Sequence, residues 1–152
     1  MLLSRGSQYT LQALIHLARQ TDGRRHMLRD IAEQLDIPPF YLAKLMQPVA
    51  RVGWLDTARG RSGGVRLARG VERLTLLDIL NLTEGTRFTH ECLLGFKQCE
   101  DATACVLHGQ WRPIKQELGE HLQRHTLAEL AAKADDLPYW LVTGNRHARL
   151  ER

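Results

Sequence analysis

The chain has three cysteines, Cys92, Cys99 and Cys105, all within fourteen residues, and His108 follows three positions after the last. Thiolate is a soft ligand and imidazole a borderline one, so four such groups in one short polar segment point to a bound metal or an iron–sulfur cluster. The intervals of six, five and two residues lack the paired Cys-x₂₋₄-Cys knuckles of most structural zinc sites. Iron–sulfur clusters accept irregular spacing, and imidazole ligation of one iron raises the reduction potential. Three thiolates and one imidazole most simply hold a 2Fe–2S centre, with 4Fe–4S as the alternative nuclearity. Zinc bound as Cys₃His is the chemical competitor, and an ordinary helix-surface histidine is the bland account of His108. An odd cysteine count argues against a disulfide framework. A thiol redox enzyme would want Cys-x-x-Cys at a helix N-terminus, and there is none. With no phosphate loop and no Ser-His-Asp motif either, the sequence does not read as an enzyme, and no small-molecule substrate is expected.

The elements that must position this segment begin in a basic half. With 152 residues, 43% hydrophobic and 25% charged, the chain has the composition of one domain or a compact domain plus an extension. No apolar run is long enough for a bilayer, so no membrane partner is expected. Ser4, Arg5, Ser7 and Gln8 interrupt any signal-peptide core, which makes the cytoplasm the expected compartment. Residues 1–80 hold twelve Lys and Arg against seven Asp and Glu, a balance of +5. Residues 81–152 hold nine against ten, a balance of −1. The first half therefore carries the positive field, and a polyanion is its natural partner.

Residues 7–19 form a helix with Leu11, Leu14, Ile15 and Ala18 on one face. Thr21-Asp22-Gly23 breaks it. A second helix runs from Arg29 to Leu35 with Ile31, Ala32 and Leu35 inward. Asp36-Ile37 makes a tight turn. Pro38-Pro39 opens a third helix, where the first-turn N–H groups lack partners anyway. That helix, Phe40 to about Arg51, buries Leu42, Leu45, Met46 and Val49 and turns Tyr41, Lys44 and Gln47 outward. Two short helices joined this way make a helix-turn-helix. Trp54–Ala58 and Val65–Ala68 then read as two strands around Arg59-Gly60-Arg61-Ser62-Gly63-Gly64, a hairpin tip whose glycines allow close approach and whose arginines bind phosphate. Such a hairpin is a wing. Arg51, Arg59, Arg61, Arg66, Arg69 and Arg73 lie in or beside it, opposed by Asp56 and Glu72.

Thr75-Leu-Leu-Asp78 has the form of a capping box for a helix that ends at Gly85. The cysteine segment, residues 88–104, shows no apolar period, and a loop of that length is usually functional or disordered. From Cys105 the helical period returns through Leu107, Trp111, Ile114, Leu118 and Leu122. Pro113 implies a start near Gln110 or a kink one turn in. The winged domain has already filled its core, so Trp111, Ile114, Leu118 and Leu122 are expected to form a dimer seam. Thr126-Leu-Ala-Glu129 caps a last helix to about Ala134. The expected organisation is a winged helix-turn-helix over 1–85, a cluster-binding loop over 86–109, a dimerisation helix and return helix over 110–135, and a tail over 136–152. The fold class is mainly α with a small β-wing.

In this order the features resemble the iron–sulfur winged-helix regulators typified by IscR, NsrR and RirA, over residues 1 to about 135. The resemblance rests on the opening helix, Arg29-Asp-Ile-Ala-Glu33, and Ile37 to Leu45 around Tyr41-Leu42. It continues through Arg59-Gly-Arg-Ser-Gly-Gly64, Leu74-Thr-Leu-Leu-Asp78 with Glu84-Gly85, the three cysteines, and Thr126-Leu-Ala-Glu-Leu130. It implies a homodimeric bacterial transcription factor, with double-stranded operator DNA as partner, whose cluster changes DNA affinity or sequence choice. By position, Cys92, Cys99 and Cys105 would be cluster thiolates. IscR-like members add a histidine three residues after the third cysteine, where His108 stands. NsrR-like members borrow a carboxylate from the partner's first helix, and this sequence has none before Asp22. His90, Glu91 and a His16 from the other chain are the lesser candidates. The DNA-contacting set would be Arg29, Pro39, Tyr41, Lys44, Gln47, Arg59, Arg61, Ser62, Gly63 and Gly64. Two departures stand out. Ala43 sits where IscR-like relatives often carry a carboxylate, so their operator does not carry over. Pro38-Pro39 replaces small polar residues at the helix entrance. A repressor switched by its cluster is the expected function, and a zinc-stabilised or thiol-based winged-helix regulator without iron is the alternative.

Overall fold

The computed structural model describes residues 3–60, 63–85, 94 and 104–134. Its elements run α1 (Arg5–Arg19), α2 (Leu28–Gln34), α3 (Pro39–Arg51), β1 (Leu55–Ala58), β2 (Gly64–Leu67), α4 (Leu76–Glu84), α5 (His108–Arg124) and α6 (Leu127–Ala134), with a single 3-10 turn at Val71–Arg73. This is the mainly helical, small-sheet architecture expected. The tail over 136–152 lies outside the described residues.

Helix α1 starts at Ser4, whose hydroxyl accepts the Ser7 N–H at 3.1 Å. Of the expected stripe Leu11, Leu14, Ile15 and Ala18, Leu14 is fully buried and the other three are half-buried. The deeper face is Ser7, Thr10, Ala13, Leu14 and Leu17. A single-stripe reading suits a helix lying on a surface, whereas α1 packs against α3, α4 and α6. Thr10 is tolerated on this face because its hydroxyl donates to the Gly6 carbonyl at 2.9 Å.

Between α2 and α3 the chain turns through Asp36, whose φ of 54° lies in the left-handed region that Asp tolerates better than most residues. The Ile37 N–H then closes on the Ala32 carbonyl at 2.9 Å and brings Ile37 into the core. Pro39 occupies the first turn of α3, while Leu42, Met46 and Val49 are buried and Leu45 is half-buried.

In the wing, Leu55 pairs with Leu67 and Ala58 with Gly64. His26 bridges Val65, with N–H to carbonyl distances of 2.8 and 2.9 Å. This bridge requires a glycine at 64, because a Cβ there would lie 2.6 Å from the His26 carbonyl oxygen. Asp56 fastens the wing a second time. It accepts from Arg25 at 3.0 Å and from Arg66 at 2.9 Å, and Arg66 also donates to the Gly23 carbonyl at 2.9 Å. Hydrogen bonds from Arg25 and then Arg66 hold the Asp56 carboxyl below its ordinary pKa.

Both expected capping boxes are present. The Asp78 N–H donates to the Thr75 hydroxyl at 3.1 Å and the Thr75 N–H to the Asp78 carboxylate at 2.9 Å. The Glu129 N–H donates to the Thr126 hydroxyl at 3.2 Å and the Thr126 N–H to the Glu129 carboxylate at 2.9 Å. The two threonines also pair with each other as an antiparallel bridge, which returns the chain to the winged body after α5.

Leu14→Ala should cost about 2–5 kcal/mol of unfolding free energy, because truncating this fully buried side chain loses its apolar burial and leaves a cavity that the core only partly closes. Denaturant unfolding of the two proteins at equal concentration measures it. His16, 7% exposed on α1, supplies a pH dependence. Burial, then the neighbouring His26 and Arg19, lowers its pKa from 6.5. The unfolded chain therefore binds the proton first as pH falls. This stability contribution is complete above pH 6.5 and is lost as pH drops from there towards the lowered folded value. As pH falls below 6.5 the stability of His16→Gln should decline less than that of the native chain.

Candidate nucleic-acid interface and cluster-ligand set

The outer face of α3 is a stripe at helical spacing. Phe40, Lys44, Gln47 and Arg51 are all exposed, at i, i+4, i+7 and i+11. Tyr41, expected on the same face, sits on its flank at 37% exposure, with its ring edge-on to Tyr9 of α1 at a centroid distance of 6.0 Å. It is thus both a packing residue and a surface one. Pro39 is exposed at the helix start. Arg29 is exposed on α2, its Nε 3.4 Å from the Asp30 carboxylate. Phe40 was not expected among the functional residues. It lies four residues before Lys44 on the same helix face, but its apolar type gives no sign of exposure.

At the wing tip Arg59 and Gly60 are exposed, while Arg61 and Ser62 lie outside the described residues. Gly63 is buried, and a Cβ on it would lie 2.6 Å from the Ala58 carbonyl oxygen. The close approaches of Gly63 and Gly64 are thus made to the chain's own backbone. Arg66, one of the arginines in or beside the hairpin, is exposed yet engaged with Asp56 and the Gly23 carbonyl. The long-range partner could not be found by spacing, because Gly23 and Arg66 are 43 residues apart.

His108 is the first residue of α5, and its N–H donates to the Cys105 carbonyl at 3.0 Å. The helix therefore starts two residues earlier than Gln110 and runs through Pro113. His108 is 7% exposed and Cys105 is half-buried. An ordinary surface histidine would not be buried in this way. One turn on, the Trp111 indole N–H is buried without an acceptor among the described residues. Cys92 and Cys99, with the lesser candidates His90 and Glu91, lie outside the described residues. Within the described residues no three metal-binding side chains converge. A half-buried thiol and a buried imidazole joined in one turn fit an iron–sulfur cluster by donor chemistry. His16 does not fit the part of a donor reaching a second chain: it is buried within α1, with Nε2 at 3.3 Å from the Gln20 amide nitrogen.

Further along α5, Trp111, Leu118 and Leu122 are half-buried and Ile114 is 52% exposed. Helix α4 packs against α5. His108 is the one residue of α5 that the chain buries fully.

A winged helix-turn-helix followed by a cysteine segment and a long helix defines a class of DNA-binding regulator. The chain matches the Rrf2 family, described as iron-dependent transcriptional regulators, over residues 3–133, and it belongs to that family. The regulator NsrR of Bacillus licheniformis is 27% identical over 138 residues, covering 90% of this chain and 96% of that protein. The structure of CymR, the global cysteine regulator of B. subtilis, superposes with a TM-score of 0.71 at 26% identity, covering 86% of this chain and 96% of CymR. IscR of T. potens gives a TM-score of 0.68 at 26% identity and covers 88% of both chains. Members of the family are transcriptional regulators rather than enzymes, in agreement with the sequence. No helix of the described residues is long and apolar enough to cross a membrane.

Arg59→Ala should lower the magnitude of the salt slope of DNA binding by about one unit per protomer, because one phosphate contact releases about one counterion. Fluorescence anisotropy of labelled DNA across a salt series measures the slope. An unchanged slope removes Arg59 from the phosphate contacts.

Proposed function

We propose that the chain is a homodimeric repressor whose affinity for operator DNA is set by an iron–sulfur cluster held by Cys92, Cys99, Cys105 and His108. The observation that carries this reading is the burial of His108 one turn from Cys105, at the start of a helix that otherwise buries nothing fully. When bound, a cluster of the 2Fe–2S or 4Fe–4S type supplies a centre sensitive to iron supply, nitric oxide and redox state.

The chain's own residues do the rest. Lys44, Gln47 and Tyr41 meet base edges or phosphates in the major groove, with Arg29 and Pro39 at the helix entrance. Arg59, Arg61 and Ser62 meet the phosphates, while Gly63 and Gly64 shape the tip that presents them. Residues 1–85 are thus the DNA-binding unit and 86–109 the sensing segment. Within 110–135, Trp111, Ile114, Leu118 and Leu122 pack against their counterparts in the second copy, which holds two recognition helices about 34 Å apart, one turn of DNA. A shift at Cys105 and His108 moves the start of α5 and so the spacing of the two helices. Binding to chromosomal DNA places the protein in the cytoplasm.

The likeness to CymR supports a second reading, a thiol-based or zinc-stabilised regulator without iron, since that protein is named for cysteine and not for iron. Anaerobic purification separates the two. The cluster reading expects visible charge-transfer absorption, iron, acid-labile sulfide, and an operator affinity that changes about 5- to 150-fold on cluster removal. His108→Ala should lose iron or shift the visible spectrum. An unchanged spectrum and iron content would take His108 out of the ligand set. A colourless protein with stoichiometric zinc after anaerobic reconstitution overturns the iron reading.

A further inference from the structure

Phe40 is 86% exposed on the leading turn of α3, an unusual place to leave an aromatic ring in water. A Phe ring offers about 150–250 Å² for burial against a partner. It heads the stripe Phe40, Lys44, Gln47 and Arg51, which spans about 16 Å along the helix. The other three side chains carry hydrogen-bond donors, and Phe40 has none.

Two features fix where the ring can go. Pro38 and Pro39 precede it, and their closed rings set the φ angles that lead into the helix. Helical aromatic side chains also lean towards the helix N-terminus, because the alternative rotamer would strike the preceding turn. The ring therefore projects from the end of the recognition helix that meets base edges in helix-turn-helix complexes. In the major groove every base presents hydrogen-bonding groups, and the apolar feature among them is the 5-methyl group of thymine.

We propose that Phe40 is a specificity-determining residue that packs on a thymine 5-methyl group in each operator half-site. This rests on the DNA-binding reading of α3 given above. It makes the chain read one position by shape and apolar contact, where Lys44 and Gln47 read by donors.

The test uses the full chain, purified anaerobically, first to select its preferred DNA from a random pool. Each thymine of the selected half-site is then replaced in turn by uracil, which removes the methyl group alone. At one position uracil should weaken binding by the native chain about fourfold per half-site, the worth of one buried methyl-sized group. Phe40→Ala should show no such loss at that position and should select a site degenerate there. Phe40→Leu, which keeps an apolar side chain, should retain part of the sensitivity. Because Phe40 contacts little of its own chain, thermal unfolding of both variants should match the native protein. A selected operator at which no uracil weakens binding overturns the inference and leaves the regulator reading intact. So does a Phe40→Ala protein that selects the same site with the same uracil sensitivity, and Phe40 would then be available to a protein partner instead. Failure to select any sequence overturns both readings.

Discussion

The pairing of Thr75 with Thr126 is the constraint on which the arrangement of the chain depends. Each threonine is the extended residue just before a helix, and each first-turn N–H of those helices lacks an intrahelical acceptor. The Leu76 N–H finds the His125 carbonyl at 2.8 Å, and the Leu127 N–H finds the Leu74 carbonyl at 2.8 Å. The threonine hydroxyls serve the third N–H of each helix. One antiparallel joint thus satisfies two helix starts at once and buries Leu127 completely. It also closes residues 76–125 into a loop whose two ends are fixed on the winged body. The cysteine segment and α5 both lie inside that loop, so any rearrangement there is contained between two anchored points.

The wing depends on a second, electrostatic joint. Asp56 on β1 takes guanidinium groups from Arg25, ahead of α2, and from Arg66 on β2. Partly exposed ion pairs contribute little individually, but here two converge on one carboxylate and a third bond runs from Arg66 to the Gly23 carbonyl. The result ties the loop after α1 to the hairpin. It also divides the arginines of the basic half into two groups. Arg25 and Arg66 are engaged in holding the wing, while Arg59, Arg69 and Arg73 are exposed in or beside it. The balance of +5 over residues 1–80 already counts Asp56, so this joint fixes where two of the guanidinium groups sit without lowering the summed charge.

Much of this was legible in the sequence because its signals are local. Ser/Thr-x-x-acid boxes, a glycine-rich arginine tip and apolar residues at three- and four-residue intervals each specify structure within a few positions, and the elements lie where those signals placed them. The misses are of the opposite kind. Leu11, Ile15 and Ala18 are equal to Leu14 in local pattern, and only the neighbours on each side of α1 distinguish them. Arg66 and Gly64 have roles set by Gly23, Arg25 and His26, far away in sequence. Phe40 is apolar yet exposed, so a reading that sends apolar residues inward passes over it. The burial of His108 likewise depends on packing that no spacing rule contains, while Cys92, Cys99, Arg61 and Ser62 lie outside the described residues.

The contrast between α1 and α5 suggests why a sensor would be placed where it is. Helix α1 buries six residues within the chain, and α5, although longer, buries only His108. A helix of 17 residues with an internal proline has little stability of its own, so its position is set by what it packs against. In this chain that is α4 on one side, and in the proposed dimer a second α5 on the other. The free energy needed to shift such an element is small compared with that of disturbing the winged core. The one buried residue of α5 is also the proposed imidazole ligand. A change in what His108 holds would then act on a helix with little buried surface of its own and alter the spacing of two DNA-reading units, with the fold of each unit left intact.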